Sequence, residues 1–211
     1  LGDVYKRQDV TDMFQDMEFN AFKGKTIRAI RTPNVSDKSR KFFDSMVEFA
    51  TTECEAKGLA WVKMLEDGSL QGSIAKFIDD EHKNRLTQIT GLAQNDAIFF
   101  IADKENMAVK IAGMIRQELG KRLELIDESA YKFCWIVDFP MYELTDEGKL
   151  DFCHNPFSMP QGGIEALNNK EPLDILAYQY DIVCNGIELS SGAVRNHDTD
   201  LMIKAFEIAG Y

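Results

Sequence analysis

Asn185-Gly186 stands between two stretches rich in strand-forming side chains, residues 178–184 and 187–196. In that setting Asn-Gly is the strongest short-range signal for a β-hairpin, because a type I′ turn needs positive φ at both central residues. The turn also fixes the register of what flanks it. Cys184 is expected to oppose Ile187, Val183 to oppose Glu188, and Asp181 to oppose Ser190. Side chains alternate between faces along a strand, so Asp181, Val183, Glu188 and Ser190 are read as sharing one face.

That face carries two carboxylates. Asp181 and Glu188 are diagonal neighbours across the hairpin, about 7–8 Å apart by Cα. Two acids at that spacing can converge on one cation, and Mg²⁺ accepts one or two carboxylates while completing its shell with water and phosphate oxygens. The alternative is a solvent-facing sheet on which both acids are simply hydrated. Arg195 lies seven residues beyond Glu188, an odd step that strict alternation would send to the opposite face. A β-bulge in the small, glycine-containing run Ser190-Ser191-Gly192 would return Arg195 to the carboxylate face. There its guanidinium could clamp a carboxylate or phosphate with two parallel hydrogen bonds; without the bulge it is an edge arginine with no ligand.

His154-Asn155-Pro156-Phe157 has the form of a ligand-holding loop near a strand end, although a lone histidine is more often structural. Cys153 precedes His154, but adjacent residues in an extended segment point to opposite sides, which argues against a thiol–imidazole pair. His82 follows Asp79-Asp80-Glu81 and reads as surface; His197 follows Arg195 by two and can share its face. The four cysteines form no C-x-x-C pair and are read as reduced thiols, which favours the cytosol. P-loop, G-x-G-x-x-G and G-x-S-x-G patterns are lacking, so a reaction run by positioning and charge neutralisation fits better than nucleophilic catalysis.

The rest of the chain divides by charge. Residues 1–130 carry 19 basic and 22 acidic side chains, and residues 131–211 carry 5 and 13, for a total charge of −11 over 211 residues. The acidic total argues against non-specific coating of nucleic acid. In the first part, Phe42, Phe43, Met46, Val47 and Ala50 repeat at helical spacing, with Ser36 or Asp37 as the start and Gly58 as the stop. A second stripe, Ala108, Ile111, Ala112, Ile115 and Leu119, predicts a helix after Asp103 and before Gly120. Residues 59–65 and 97–102 read as strands, with shorter helical pieces near 9–14 and 73–92. Helices on one face of a small sheet make this an α+β unit. Lys23, Lys25, Arg28, Arg31, Lys38, Arg40 and Lys41 could form a phosphate-facing patch, but a solvated strand and helix start is the favoured reading. After a seam near Ser129, residues 133–139 predict a strand ended by Pro140, and Asp146-Glu147-Gly148 a turn into a returning strand at 149–153. A loop with a short helix is read at 160–172 and a terminal helix capped by Asp198 beyond it. No apolar run is long enough to span a membrane and no leader is visible. The start at Leu1 rather than Met reads as the start of a fragment.

The run from Phe133 to Glu143 (Phe-Cys-Trp-Ile-Val-Asp-Phe-Pro-Met-Tyr-Glu), then His154-Asn-Pro-Phe157, Tyr180-Asp181, Asn185-Gly186-Ile187-Glu188 and Arg195-Asn196-His197, closely resembles bacterial-type aspartyl-tRNA synthetase, a class II aminoacyl-tRNA synthetase. Residues 9–128 look like that family's insertion (GAD-type) domain, also found in a subunit of tRNA-dependent amidotransferases. Residues 129–211 look like part of the catalytic domain, and residues 1–8 look foreign to the family. The resemblance implies α+β architecture ending in part of a class II antiparallel sheet, and a cytoplasmic ligase that uses ATP with Mg²⁺ to activate L-aspartate and passes it to tRNA(Asp), whether or not also to tRNA(Asn). It implies that His154 and Arg195 contact aspartate, and that Asp181 and Glu188 hold Mg²⁺ and ATP. The family is homodimeric. Its anticodon-binding domain, dimer motif, second-motif arginine and third motif have no counterpart here, so the fragment alone is expected to be inactive. The alternative is a non-catalytic tRNA-binding module like the amidotransferase insert. Asn155 stands where the family often has a second histidine, and Ser190-Ser191 where it often has glycines.

Overall fold

A computed structural model describes residues 7–15, 19–145 and 147–211. They fall into two compact units that meet in sequence at Asp127 and Glu128.

The first unit is built on a five-stranded antiparallel sheet with strands in the order β1-β2-β5-β3-β4, namely β1 (Gln8–Asp9), β2 (Thr26–Thr32), β3 (Ala60–Met64), β4 (Leu70–Gly72) and β5 (Ala97–Asp103). The central β5 is the continuous apolar run Ala-Ile-Phe-Phe-Ile-Ala and is buried on both faces, so it needs cover on both. Two helices, α1 (Arg40–Thr52) and α3 (Glu105–Arg122), supply one side: Phe43, Met46, Ile111 and Ile115 meet Ile30, Phe99 and Ile101. The other side is closed by a short 3₁₀ turn at Thr11–Phe14, by Phe22, and by Leu86 of α2 (Asp80–Thr90), against Ile27, Ile98 and Phe100. Each large side chain buried in this way contributes about 1.5–3 kcal/mol relative to exposure.

Several helix ends differ from expectation. α1 starts after Ser39 rather than Ser36 or Asp37, and its stop is Glu55 in the left-handed region (φ 56°) rather than Gly58, with the Ala56 N–H bonded to the Ala50 carbonyl. α3 runs through Gly120 to Arg122, and Glu118 and Arg122 pair at 2.6 Å over its last turn. Within the basic run at 23–41 the three arginines pair inside the chain. Arg28 pairs with Asp9 at 3.1 Å, Arg31 with the buried Asp96 at 2.7 Å, and Arg40 with Asp44 at 3.5 Å. Of the residues that look foreign, 1–6 lie outside the described residues, and Gln8 is already paired with Ala29.

The second unit contains a three-stranded antiparallel sheet in the order β10-β9-β6, from β6 (Phe133–Pro140), β9 (Leu176–Cys184) and β10 (Ile187–Ala193), and a separate ribbon of β7 (Tyr142–Leu144) with β8 (Leu150–Phe152). The returning strand is β8, and it pairs with β7. Its turn retains Glu147 and Gly148, with the Gly148 N–H bonded to the Thr145 carbonyl, while Asp146 lies outside the described residues. Helices α4 (Gly163–Asn169) and α5 (Thr199–Ile208) complete the unit; Asp198 caps α5 by accepting from the N–H groups of Asp200 and Leu201. Tyr142, Leu167, Ile175, Ala177, Leu201 and Ala205 form its core, and the Tyr142 hydroxyl donates to the Ala205 carbonyl at 3.0 Å. No described helix is long and apolar enough to cross a membrane.

Candidate functional site

The hairpin turn adopts the geometry its sequence demands, with Asn185 and Gly186 at φ 50° and 85°. The Asn185 side chain ties the turn to the strand opposite, accepting from the Lys132 N–H and donating to the Ala130 carbonyl. Cys184 opposes Ile187 and Val183 opposes Glu188 as predicted. The register then shifts: Leu189 has no partner, Ser190 opposes Ile182, and Ser191 opposes Asp181. The bulge is therefore one residue earlier than the small-residue run indicates. Ser190 does not join the acids; Ser191 takes that place.

This single extra residue sets the chemistry of the face. Glu188, Ser191 and Ala193 stand opposite Val183, Asp181 and Gln179, so all share one side of the sheet. Arg195, two beyond Ala193, follows them. The backbone at Gly192 passes close under Tyr180, where a Cβ would lie 2.5 Å from the ring, so only glycine fits without displacing it.

A second irregularity acts on the other neighbouring strand. Val137 opposes Tyr180, the register shifts at Asp138 (φ 58°), and Phe139 opposes Ala177. Phe139 is thereby turned from Val137's face to that of Gln179 and Asp181. Its ring meets the His154 ring edge-on at 5.1 Å.

His154 arrives from the loop after β8 with its backbone in the left-handed region (φ 65°). The Asn155 side chain accepts from the Phe157 N–H at 2.9 Å, an Asx turn that carries the chain round Pro156. Beyond it, Ser158 bridges Arg195 and the Asn196 N–H bonds to the Phe157 carbonyl, which joins the loop to the strand bearing the guanidinium. Burial pushes the Cys153 thiol up, with the Glu143 carboxylate adding to the effect. All four cysteines are free.

His154, Asp181, Glu188 and Arg195 thus line one cleft of about 250 Å³, together with Phe139, Asn155, Gln179, Ser191 and Gly192. That is below the roughly 300–1,000 Å³ of complete small-molecule sites. A larger hollow of about 500 Å³ lies beside Lys149, Asp151 and Tyr211, away from these four residues. Among the described residues no group of three or more His, Cys, Asp or Glu could hold a metal as an all-protein cage. Asp181 and Glu188 offer the cleft two carboxylates, a donor pair that suits a hard cation bringing phosphate oxygens with it. The sequence reading missed Gln179 and Phe139. Gln179 follows from the period-two pattern 179, 181, 183, whereas Phe139 is hidden by the register shift.

Comparison with known proteins gives the context. Residues 18–112 match the GAD domain family. The chain is 56% identical over 204 residues to the aspartate–tRNA ligase of Streptomyces coelicolor and 57% identical over 204 residues to that of Streptomyces avermitilis; each match covers 96% of this chain and 35% of the relative. It is 52% identical over 210 residues to the aspartate–tRNA(Asp/Asn) ligase of Ehrlichia chaffeensis, covering 97% of this chain and 35% of that protein. The chain spans about a third of the length of the curated relatives it matches, and over nearly all of its own length it is similar to aspartate–tRNA ligases.

Proposed function

We propose that the chain is the segment of an aspartate–tRNA ligase that recognises L-aspartate and part of ATP during formation of aspartyl-adenylate, before transfer to tRNA. The convergence of Arg195, His154, Asp181 and Glu188 on one cleft carries this reading. Arg195 would pair with the side-chain carboxylate of aspartate through two parallel hydrogen bonds. A neutral amide in its place would turn donors toward donors and be rejected. His154 contacts the same substrate from its loop. Asp181 and Glu188 would hold Mg²⁺ against the phosphates of ATP, where the ion supplies charge neutralisation. The α-carboxylate of aspartate attacks the α-phosphorus and pyrophosphate departs. The protein's task is alignment and stabilisation of developing charge.

The cleft is a partial one, and Phe133, Trp135, Val137 and Ile187 stand exposed on the opposite face of the same sheet. Both features suit a segment whose sheet and site are completed by residues outside it. The complete protein is read as a cytoplasmic homodimer acting on tRNA(Asp), with tRNA(Asn) as the further substrate that distinguishes its two groups of relatives. A free-standing tRNA-binding module would need none of the four cleft residues.

Aspartate-dependent exchange of pyrophosphate into ATP tests the proposal. A full-length protein containing this chain should catalyse it and the 211-residue chain should not. Exchange by the chain alone, or none by the longer protein, would overturn the reading.

A further inference from the structure

We propose that Gln179 is a positioning residue for His154, a role that rests on the aspartate-activating reading of the cleft. Gln179 is only 6% exposed, lies opposite Ala193, and shares the face of Asp181 and Arg195. Its amide nitrogen donates to the Asn155 carbonyl at 3.2 Å. That carbonyl also accepts from the Ser158 N–H at 3.3 Å, so one oxygen joins the loop's own turn to the floor of the sheet.

The surroundings make this bond the one that holds His154 in place. Upstream, the chain is fixed by the Cys153 N–H on the Met141 carbonyl; downstream, it is fixed by the pairing of Phe157 and Met159 with Asn196 and Val194. Between these anchors His154 sits at positive φ, a conformation that a non-glycine residue keeps only when neighbours enforce it. Among the described residues, Gln179 supplies the one hydrogen bond from a sheet side chain to the 154–155 stretch. Phe139 supplies a ring contact but no directional bond. A buried amide aimed at a peptide carbonyl is costly to leave unpaired, so the bond is made in the free protein and the imidazole is set before substrate arrives.

Gln179→Met keeps the length of the side chain and deletes the donor. In the full-length protein it should raise KM for aspartate about fivefold, leave KM for ATP unchanged and keep kcat within about twofold. In a His154→Ala background the same change should add less than about twofold, because the residue it positions is gone. Effects that multiply undiminished in that background, or a shift in KM for ATP alone, would overturn the proposal. Hydrogen exchange in the 211-residue chain gives a second reading without activity: Gln179→Met should speed exchange at the Ser158 amide at least about fivefold and leave Met159 unchanged. Unaltered exchange at Ser158 would defeat the latch by itself. A full-length protein that activates no aspartate would defeat the ligase reading and leave the exchange measurement to judge Gln179.

Discussion

Arg195 shares a face with Glu188, seven residues earlier, because Leu189 is looped out of the β9–β10 ladder. An odd number of steps along an unbroken strand would place the two on opposite faces. The guanidinium and the carboxylate therefore meet in one cleft through a single inserted residue.

Deleting Leu189 leaves Arg195 six steps from Glu188, an even number that keeps both on one face of an unbroken ladder. Leu189 is more than half exposed, so little packing is lost. The thermal midpoint should change by only a few degrees, and KM for aspartate in the full-length protein should stay within about tenfold. A rise of about 100-fold or more would mean that the face of Arg195 is not set by its register against β9.

Gly192→Ala should destabilise the chain by about 1–3 kcal/mol, since the added Cβ falls on the Tyr180 ring. Urea unfolding measures the loss. The double variant Gly192→Ala with Tyr180→Ala should recover most of it relative to Tyr180→Ala alone.

Asp96 is 2% exposed and accepts from Arg31 at 2.7 Å and from the N–H groups of Asn34 and Ala93. Asp96→Ala leaves three donors unmatched. Arg31 is a third exposed and regains some water, which keeps the cost to about 2–3 kcal/mol of unfolding free energy. Chemical denaturation of the chain checks the value.

Burial pushes the Tyr142 phenol up to about 12 from its ordinary value of 10.0. Above pH 10 the unfolded chain gives up this proton and the folded chain does not, so the stabilisation is complete below pH 10 and is lost as pH rises toward 12. Tyr142→Phe should flatten that part of the stability profile. Parallel curves for the two proteins would contradict the assignment.

The parts of the molecule legible in sequence are those in which one local signal dominates. Asn185-Gly186 dictated the turn and the first two pairs, and Asp198 marked the start of α5. The small residues at 190–192 announced an irregularity but not its place, because the looped-out Leu189 leaves no local signature. Phe139 was unreadable for a similar reason: its turn into the cleft depends on Asp138 adopting positive φ, which glycine would have advertised and aspartate does not. Gly58 drew attention as a helix stop, whereas Glu55 takes the left-handed position three residues earlier and bears its strain. The roles of the cleft residues came from resemblance. Their shared cleft depends on two register shifts that side-chain patterning alone does not locate.

Replacing Arg195 by Leu in the full-length protein tests the central claim most directly. Aspartate-dependent ATP–pyrophosphate exchange should become undetectable while ATP binding, followed by equilibrium titration, stays within about threefold of the unaltered protein. Exchange that continues with an ordinary KM for aspartate would contradict the assignment of Arg195 as the group that selects the substrate.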